Sequence, residues 1–260
     1  MKQWLKFMFV IILIIPFIVS AEEVEDNYVK VAETVKYFKT TSIFNNSSVM
    51  RDTDFAEMSS ITVEVSEEEF NNAPTETEPV APIDGARGMA RTETTYKRLT
   101  TTIETDATYY RYTTNLYWKN IPSVRSYDII AIGHYNDVEL YSSQNIVFEQ
   151  DYCEDAYSCY YSSSRTEVVK EYGTAAVFHL PDDSLISLEQ TLTFMVKKAV
   201  SWTITEQVAA GDYAHATSNT IASLAANNLR IGVGGLILPD VIYDIYDTTP
   251  AAIADWSGTW

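Results

Sequence analysis

Cysteine, histidine and glycine are scarce in this sequence. Two Cys are too few for a disulfide-dense scaffold, and three His leave little imidazole for a metal site or for proton transfer. We therefore expect no metal centre and no cofactor. Nine Gly set against 18 Tyr favour a chain built mainly from strands.

Basic side chains are also few. The chain has 18 Lys and Arg against 36 Asp and Glu, so its formal net charge is -18. Such a charge repels phosphate backbones and anionic lipid headgroups. Nucleic acid is therefore not an expected partner.

The N-terminus has the pattern of a secretory signal peptide, residues 1–21. Lys2 and Lys6 precede an apolar run from Phe7 to Val19, and small residues up to Ala21 follow this run. An uncleaved membrane anchor is the alternative, but the run is shorter than the roughly 20 residues that a spanning helix needs. We expect cleavage after Ala21 and a secreted, extracellular protein without a stable membrane anchor.

The next part of the chain is dense in acidic residues. Residues 22–65 are interpreted as an acidic N-terminal arm or propeptide, and residues 66–90 as a linker rich in Pro, Glu and Thr. Apolar residues at helical spacing predict an amphipathic helix between Glu22 and about Phe44, with a poorly ordered arm as the alternative. The arm is then a propeptide, a partner-binding helix or a solubilising segment.

Residues 91–260 are predicted to form a β-rich globular domain. Ten Thr and five Tyr lie between Thr92 and Tyr117, and these residue types fit a pleated surface. In the segment ending at Trp118, Tyr110 and Tyr112 share one side with Leu116. Further alternating segments follow at the spacing of an antiparallel β-sandwich or a partly open barrel, with one short helix between Asn219 and Arg230.

The two cysteines are close in sequence. Cys153 and Cys159 are separated by five residues, which in an oxidising compartment predicts a disulfide that closes a small loop. A zinc site would need further ligands, and no His lies within fifteen positions.

Aromatic residues supply the clearest signal of binding. Tyr157, Tyr160 and Tyr161 surround Cys159 among several serines, a composition typical of an exposed recognition loop. Tyr213 and His215 would share one side of an extended segment and are the remaining candidate ligand-binding residues. We expect the ligand to be an extracellular glycan or protein.

Catalytic patterns are weak. The sequence has no Gly-x-Ser-x-Gly elbow, and Asp128, Glu139 and Asp212 are candidate members of a carboxylate pair only because acids are abundant. The sequence therefore favours a secreted non-catalytic binding protein over an enzyme. The alternatives are an extracellular glycan or cell-wall hydrolase and a secreted toxin or bacteriocin-like protein whose Thr-rich strands, such as Thr100 to Thr114, enter membranes.

Overall fold

The computed structural model describes residues 27–45, 56–75, 90–182, 184–218, 220–243 and 245–260. The predicted signal peptide lies outside these residues. Among them, no helix is both long and apolar enough to cross a bilayer. The described elements, in chain order, are β1 (Val29–Asn45), β2 (Ala56–Val65), α1 (Glu67–Asn72), β3 (Ala90–Thr105), β4 (Tyr110–Trp118), β5 (Tyr127–Gly133), β6 (Val138–Leu140), β7 (Val147–Cys153), β8 (Cys159–Ser162), β9 (Thr166–Lys170), β10 (Gly173–His179), β11 (Ser187–Lys198), β12 (Glu206–Ala216), α2 (Ala222–Asn228), β13 (Arg230–Gly232), β14 (Gly235–Ile237), α3 (Asp240–Tyr243), β15 (Tyr246–Thr248) and β16 (Ala252–Ser257).

Two antiparallel sheets make up most of the fold. The large sheet has the order β2-β1-β3-β4-β11-β7-β8, with β6 also paired to β11. The small sheet has the order β15-β12-β5-β10-β9, with β16 also paired to β12. The sheets pack face to face, which confirms the predicted mainly β, antiparallel sandwich.

The space between the sheets holds the main core. Large side chains of the large sheet, such as Leu99, Tyr112 and Phe194, meet Ile130 and Phe178 of the small sheet, and all five are at most 1% exposed. The predicted alternation in β4 is confirmed, because every second residue from Tyr110 to Trp118 is buried. Period-two burial therefore sets which side of the large sheet faces inward.

The small sheet is buried on both faces. Its outer face carries a second apolar cluster that includes Ile129, Val177 and Ala214, and this cluster packs against Leu229 of the α2 segment. Because both faces of β5 are buried, its sequence is an unbroken apolar run from Ile129 to Ile132 and does not alternate between apolar and polar residues. The predicted short helix is confirmed as α2, whereas the short helices α1 and α3 were not predicted.

The prediction of a helix between Glu22 and Phe44 is wrong for the described part of that segment. Residues 29–45 form β1, which pairs with β2 on one side and β3 on the other. The buried side chains near its end are Phe38, Thr40 and Ser42, at alternate positions. Because two of these three are polar, hydrophobic periodicity could not reveal the strand. Whether residues 22–65 are removed by proteolysis stays a prediction.

The first part of the predicted linker is also ordered. α1 begins after Ser66, whose Oγ accepts a hydrogen bond from the Glu69 N–H at 3.1 Å, and three Glu residues occupy its first turn. Phe70 is buried and its ring centroid lies 5.0 Å from that of Tyr37. Residues 67–72 thus form a helix that packs on β1, whereas residues 76–89 lie outside the described part of the chain. The linker as a domain boundary stays a prediction.

Candidate functional site

A disulfide closes the hairpin at one edge of the large sheet. Cys153 and Cys159 are directly opposite each other in the β7–β8 pair and are bonded, which confirms the predicted disulfide. We call residues Tyr152–Tyr161 the disulfide hairpin. Because β8 ends the order of described strands in its sheet, the hairpin lies at the edge of the sandwich.

The three tyrosines singled out in the sequence lie on the surface of this hairpin. Tyr157, Tyr160 and Tyr161 are 97%, 46% and 59% exposed. Exposed aromatic rings at such fractions offer apolar contact area and a hydroxyl at the same time. Their part in ligand binding stays a prediction.

One carboxylate orders the loop of the hairpin. Asp155 Oδ1 accepts hydrogen bonds from the backbone N–H groups of Tyr157 at 2.7 Å and Ser158 at 2.8 Å, and its Oδ2 accepts from Ser158 Oγ at 3.0 Å. These bonds, first that from Tyr157, lower the pKa of Asp155 below its usual value. These bonds therefore restrain the backbone of the loop at Tyr157.

The tyrosines of the two strands divide between the two faces of the hairpin. Tyr160 is opposite Tyr152, and their rings stack with centroids 5.5 Å apart. Tyr161 is opposite Asp151 on the other face. Only the Tyr152–Tyr160 stack is therefore on the side that faces the small sheet.

A cavity of about 370 Å³ adjoins this stack and is lined from both sheets. We call it the edge cavity. Its ring surfaces come from Tyr127, Tyr152, Phe178 and His179, and the Tyr127 and His179 rings meet edge to face with centroids 4.9 Å apart. The volume lies within the range of small-molecule sites, and one such ring pair suits contact with the flat face of a ligand.

Polar groups of the edge cavity are held in place by neighbours. Arg165 donates to the carbonyl oxygens of Ser163 at 3.1 Å and Ile146 at 2.9 Å, and it pairs with Glu167 at 2.5 Å. Gln150 Nε2 donates to the carbonyl of His179 at 3.2 Å. The cavity thus combines rings with a fixed guanidinium and an amide.

The edge cavity is not the largest opening. A cavity of about 580 Å³ lies beside Lys170, Tyr172 and Arg230, but Tyr172 is the single aromatic ring among the described residues that line it. None of the described residues that line it belongs to the disulfide hairpin. We therefore take the hairpin and the edge cavity together as the candidate site.

The structure does not bring the candidate carboxylates together. Asp128 and Asp212 are buried on opposite faces of the small sheet, while Glu139 belongs to the large sheet and pairs with Lys197 on the surface. Asp182 is the one carboxylate among the described residues that line the edge cavity. Hydrolysis by two facing carboxyl groups has no assembled site among these residues.

Tyr213 and His215 do share one side of β12, as predicted, but that side faces the core. Tyr213 is 0% exposed and His215 is 4% exposed. Tyr213 Oη donates to Asp128 Oδ2, and His215 Nδ1 lies 3.0 Å from the same oxygen. The backbone N–H of Ala216 donates to Asp128 Oδ1 at 2.8 Å. A ligand on the surface cannot reach these side chains, so we do not carry them forward as contact residues.

Burial raises the pKa values of two side chains of β12, Tyr213 and Asp212. It raises the pKa of Tyr213 well above its ordinary value, and the nearby Asp128 carboxylate adds to the effect. On the outer face of the same strand, burial raises the pKa of Asp212 to about 7, although N–H groups of Leu236 and Tyr213 donate to its oxygens. The inner cluster links β12 to β5 through bonds to Asp128, and its side chains are at most 4% exposed.

Sequence reasoning missed most of the edge cavity. Tyr127, Gln150, Arg165 and His179 come from four separate segments of the chain and carry no common motif. Only the aromatic and serine content around Cys159 pointed to this edge of the fold.

Comparisons with known proteins add little. No family model matches the chain, and no curated protein matches it. Among solved structures, the collagen-binding domain of the Erysipelothrix rhusiopathiae surface protein RspB is 6% identical, with a TM-score of 0.29 over 65% of this chain and 71% of that one. A structure from work on the pH-induced modulation of Streptococcus parasanguinis adhesion by Fap1 fimbriae is 12% identical, with a TM-score of 0.26 over 62% of this chain and 80% of that one. At these scores the similarity carries no argument about function.

Proposed function

We propose that this chain is an extracellular, non-catalytic binding protein that recognises glycans through the disulfide hairpin and the edge cavity. The observation that carries the proposal is the adjacency of the two features. Exposed Tyr160 stacks on Tyr152, and Tyr152 lines a cavity of about 370 Å³. A bound sugar can therefore lie on the outer ring while its neighbour enters the cavity.

The chemistry of the cavity supports a saccharide. Sugars present apolar C–H faces and a rim of hydroxyls, so they need rings together with neutral or fixed polar groups. The cavity offers the Tyr127 and His179 rings, the Gln150 amide and the Arg165 guanidinium. Because Glu167 pairs with Arg165 and balances its charge, a ligand does not need a negative charge to bind beside this guanidinium.

The disulfide supports an extracellular location. Disulfides persist in oxidising compartments, and this one closes the hairpin that carries the exposed tyrosines. The signal peptide predicted from residues 1–21 agrees with that location but remains a prediction.

A glycan array tests the proposal. We expect the full chain to be retained by at least one glycan, and Tyr160→Ala to weaken that retention about tenfold, equal to about 1.4 kcal/mol. Tyr161→Ala should weaken it less, because Tyr161 is on the opposite face of the hairpin from the cavity.

An exposed aromatic far from the hairpin provides the matched control. Trp202 is 64% exposed and follows the end of β11 that is distant from the hairpin, roughly 35–40 Å along the strand. Trp202→Ala should leave retention unchanged. If no glycan retains the wild type, or if Trp202→Ala and Tyr160→Ala lower retention equally, the proposal is wrong.

The two alternatives have direct readouts. Release of reducing ends from the retained glycan would show a hydrolase instead of a non-catalytic binder. Dye leakage from liposomes would show the membrane-active toxin. We expect neither.

A further inference from the structure

Lys97 is the most unusual side chain in the core. It projects from β3 into the space between the sheets and is 0% exposed. Its Nζ has no hydrogen-bond acceptor in suitable geometry among the described residues. A buried ammonium without hydrogen bonds is strongly disfavoured, so this amine calls for an explanation.

A carboxylate of the other sheet faces Lys97. Asp247 lies on β15, is 8% exposed, and its Oδ2 is 3.5 Å from Lys97 Nζ. The rings of Trp118 and Tyr213 lie beside the amine, with centroids 5.1 Å and 5.4 Å from Nζ. The amine and the carboxylate thus face each other, and two aromatic rings lie beside the amine.

Strand pairing fixes both partners. Lys97 is opposite Trp118 in the β3–β4 pair of the large sheet, and Asp247 is opposite His215 in the β12–β15 pair of the small sheet. The Thr62 hydroxyl donates to Asp247 Oδ2 at 2.5 Å, which further restrains the carboxyl group. The two reacting groups are therefore held by separate sheets at a set separation.

We propose that Lys97 and Asp247 condense to form an intramolecular amide that joins the two sheets. Nζ loses a proton and attacks Cγ of Asp247 to form the N–C bond, and one Cγ–O bond breaks. The two protons that leave the ammonium end on the departing oxygen, which leaves as water. An ammonium and a carboxylate become a neutral amide and water, so the step needs no oxidant, reductant or activated co-reactant.

The surroundings favour this reaction. Amide formation from two ions is unfavourable in water, but groups held in reactive geometry reach effective molarities of about 10⁵–10⁸ M. Burial disfavours the two charges and does not disfavour the amide to the same degree. Since Lys97 is fully buried, the product is also shielded from hydrolysis.

Peptide mapping of the full-length protein tests the proposal. The purified chain is reduced, denatured and digested with trypsin, and the peptides are identified by mass spectrometry. We expect a branched peptide that contains Lys97 and Asp247 and is lighter than the sum of its two parts by one water. Cleavage after Lys97 should be lost, because an acylated lysine is not a trypsin site.

The controls separate this bond from general dehydration. Lys97→Arg should abolish the branched peptide, since a guanidinium keeps the charge but does not form the amide. The surface pair Lys197 and Glu139, with Nζ 3.2 Å from Oε1, should remain unlinked in the same digest because both groups are hydrated.

Unmodified Lys97 and Asp247 peptides from the folded wild type would overturn the proposal, and this result does not depend on the folding of any variant. A branched Lys197–Glu139 peptide would overturn the role given to burial. The array result for Tyr160→Ala is independent of both outcomes.

Discussion

Gly211 lies in β12 where this strand crosses the inner face of the large sheet. A Cβ at this position would lie closer to the hydroxyl oxygens of Thr101 and Thr114 than real Cβ atoms approach, and 2.9 Å from Thr114 Cγ2. The backbone is not in the left-handed region, so the constraint is space alone. We predict that Gly211→Ala strongly destabilises the protein.

The expected magnitude follows from how little the two threonines can move. Both are fully buried and opposite each other in the β3–β4 pair, with their hydroxyl oxygens 3.2 Å apart. Because β-branched side chains are stiff at χ1, relief requires a shift of the strands. Overpacking of a core costs about 1–3 kcal/mol, and we expect the upper end of that range. In a chain of this size, about 3 kcal/mol lowers Tm by roughly 6–12 °C.

Equilibrium urea unfolding, followed by tryptophan fluorescence, measures this effect. Gly234→Ala is the matched control, because a Cβ there meets nothing within 4 Å and the residue has no positive φ. The control should change the free energy of unfolding by less than about 1 kcal/mol. A second variant, Gly211→Ala with Thr114→Ala, removes two of the three close contacts and should recover part of the loss. The steric reasoning is refuted if Gly211→Ala is no less stable than Gly234→Ala.

Three further predictions concern buried polar groups and the disulfide. Replacing Cys153 and Cys159 together by serine should lower the free energy of unfolding by about 2 kcal/mol, because the bond closes a short loop; non-reducing urea unfolding checks this, and equal midpoints would contradict it. Tyr213→Phe removes the hydroxyl that donates to buried Asp128 and should cost about 1–3 kcal/mol in the same assay, whereas a neutral effect would mean that water replaces the donor. Burial raises the pKa of Asp212 from 3.8 to about 7, so its contribution to stability is complete below about pH 4 and is lost as the pH rises through about 7. The stability of the wild type relative to Asp212→Asn should therefore fall between pH 4 and pH 8, by at most about 4 kcal/mol, and a difference that does not vary with pH would exclude the shift.

Features that depend on neighbours in sequence could be predicted well. The disulfide between Cys153 and Cys159 and the burial of alternate residues in β4 are both local consequences of the chain. The surface position of Tyr157 follows equally from a short polar loop between two cysteines. In each case the relevant partners lie within a few residues of one another.

The failures have a common physical cause. β1 was expected to be helical because apolar residues recur there at helical spacing. Its buried positions Thr40 and Ser42 are polar, and Thr40 bonds to Asp247 across the sandwich. Tyr213 and His215 were expected to meet a ligand because alternation shows that two residues share a side but not what covers it. Both faces of the small sheet are covered by other residues. The prediction that Tyr213 and His215 share one side was therefore correct, but it did not show whether that side is exposed.

The amino-acid sequence by itself determined the mainly β, antiparallel character of this protein, its short disulfide loop and its excess of negative charge. These properties depend on composition, on period-two alternation and on residues close together in the chain. Only the tertiary structure decided that the edge cavity exists and that Lys97 meets Asp247. Both depend on strands that are distant in sequence and become neighbours only when the two sheets pack. Local sequence patterns do not predict which strands these are.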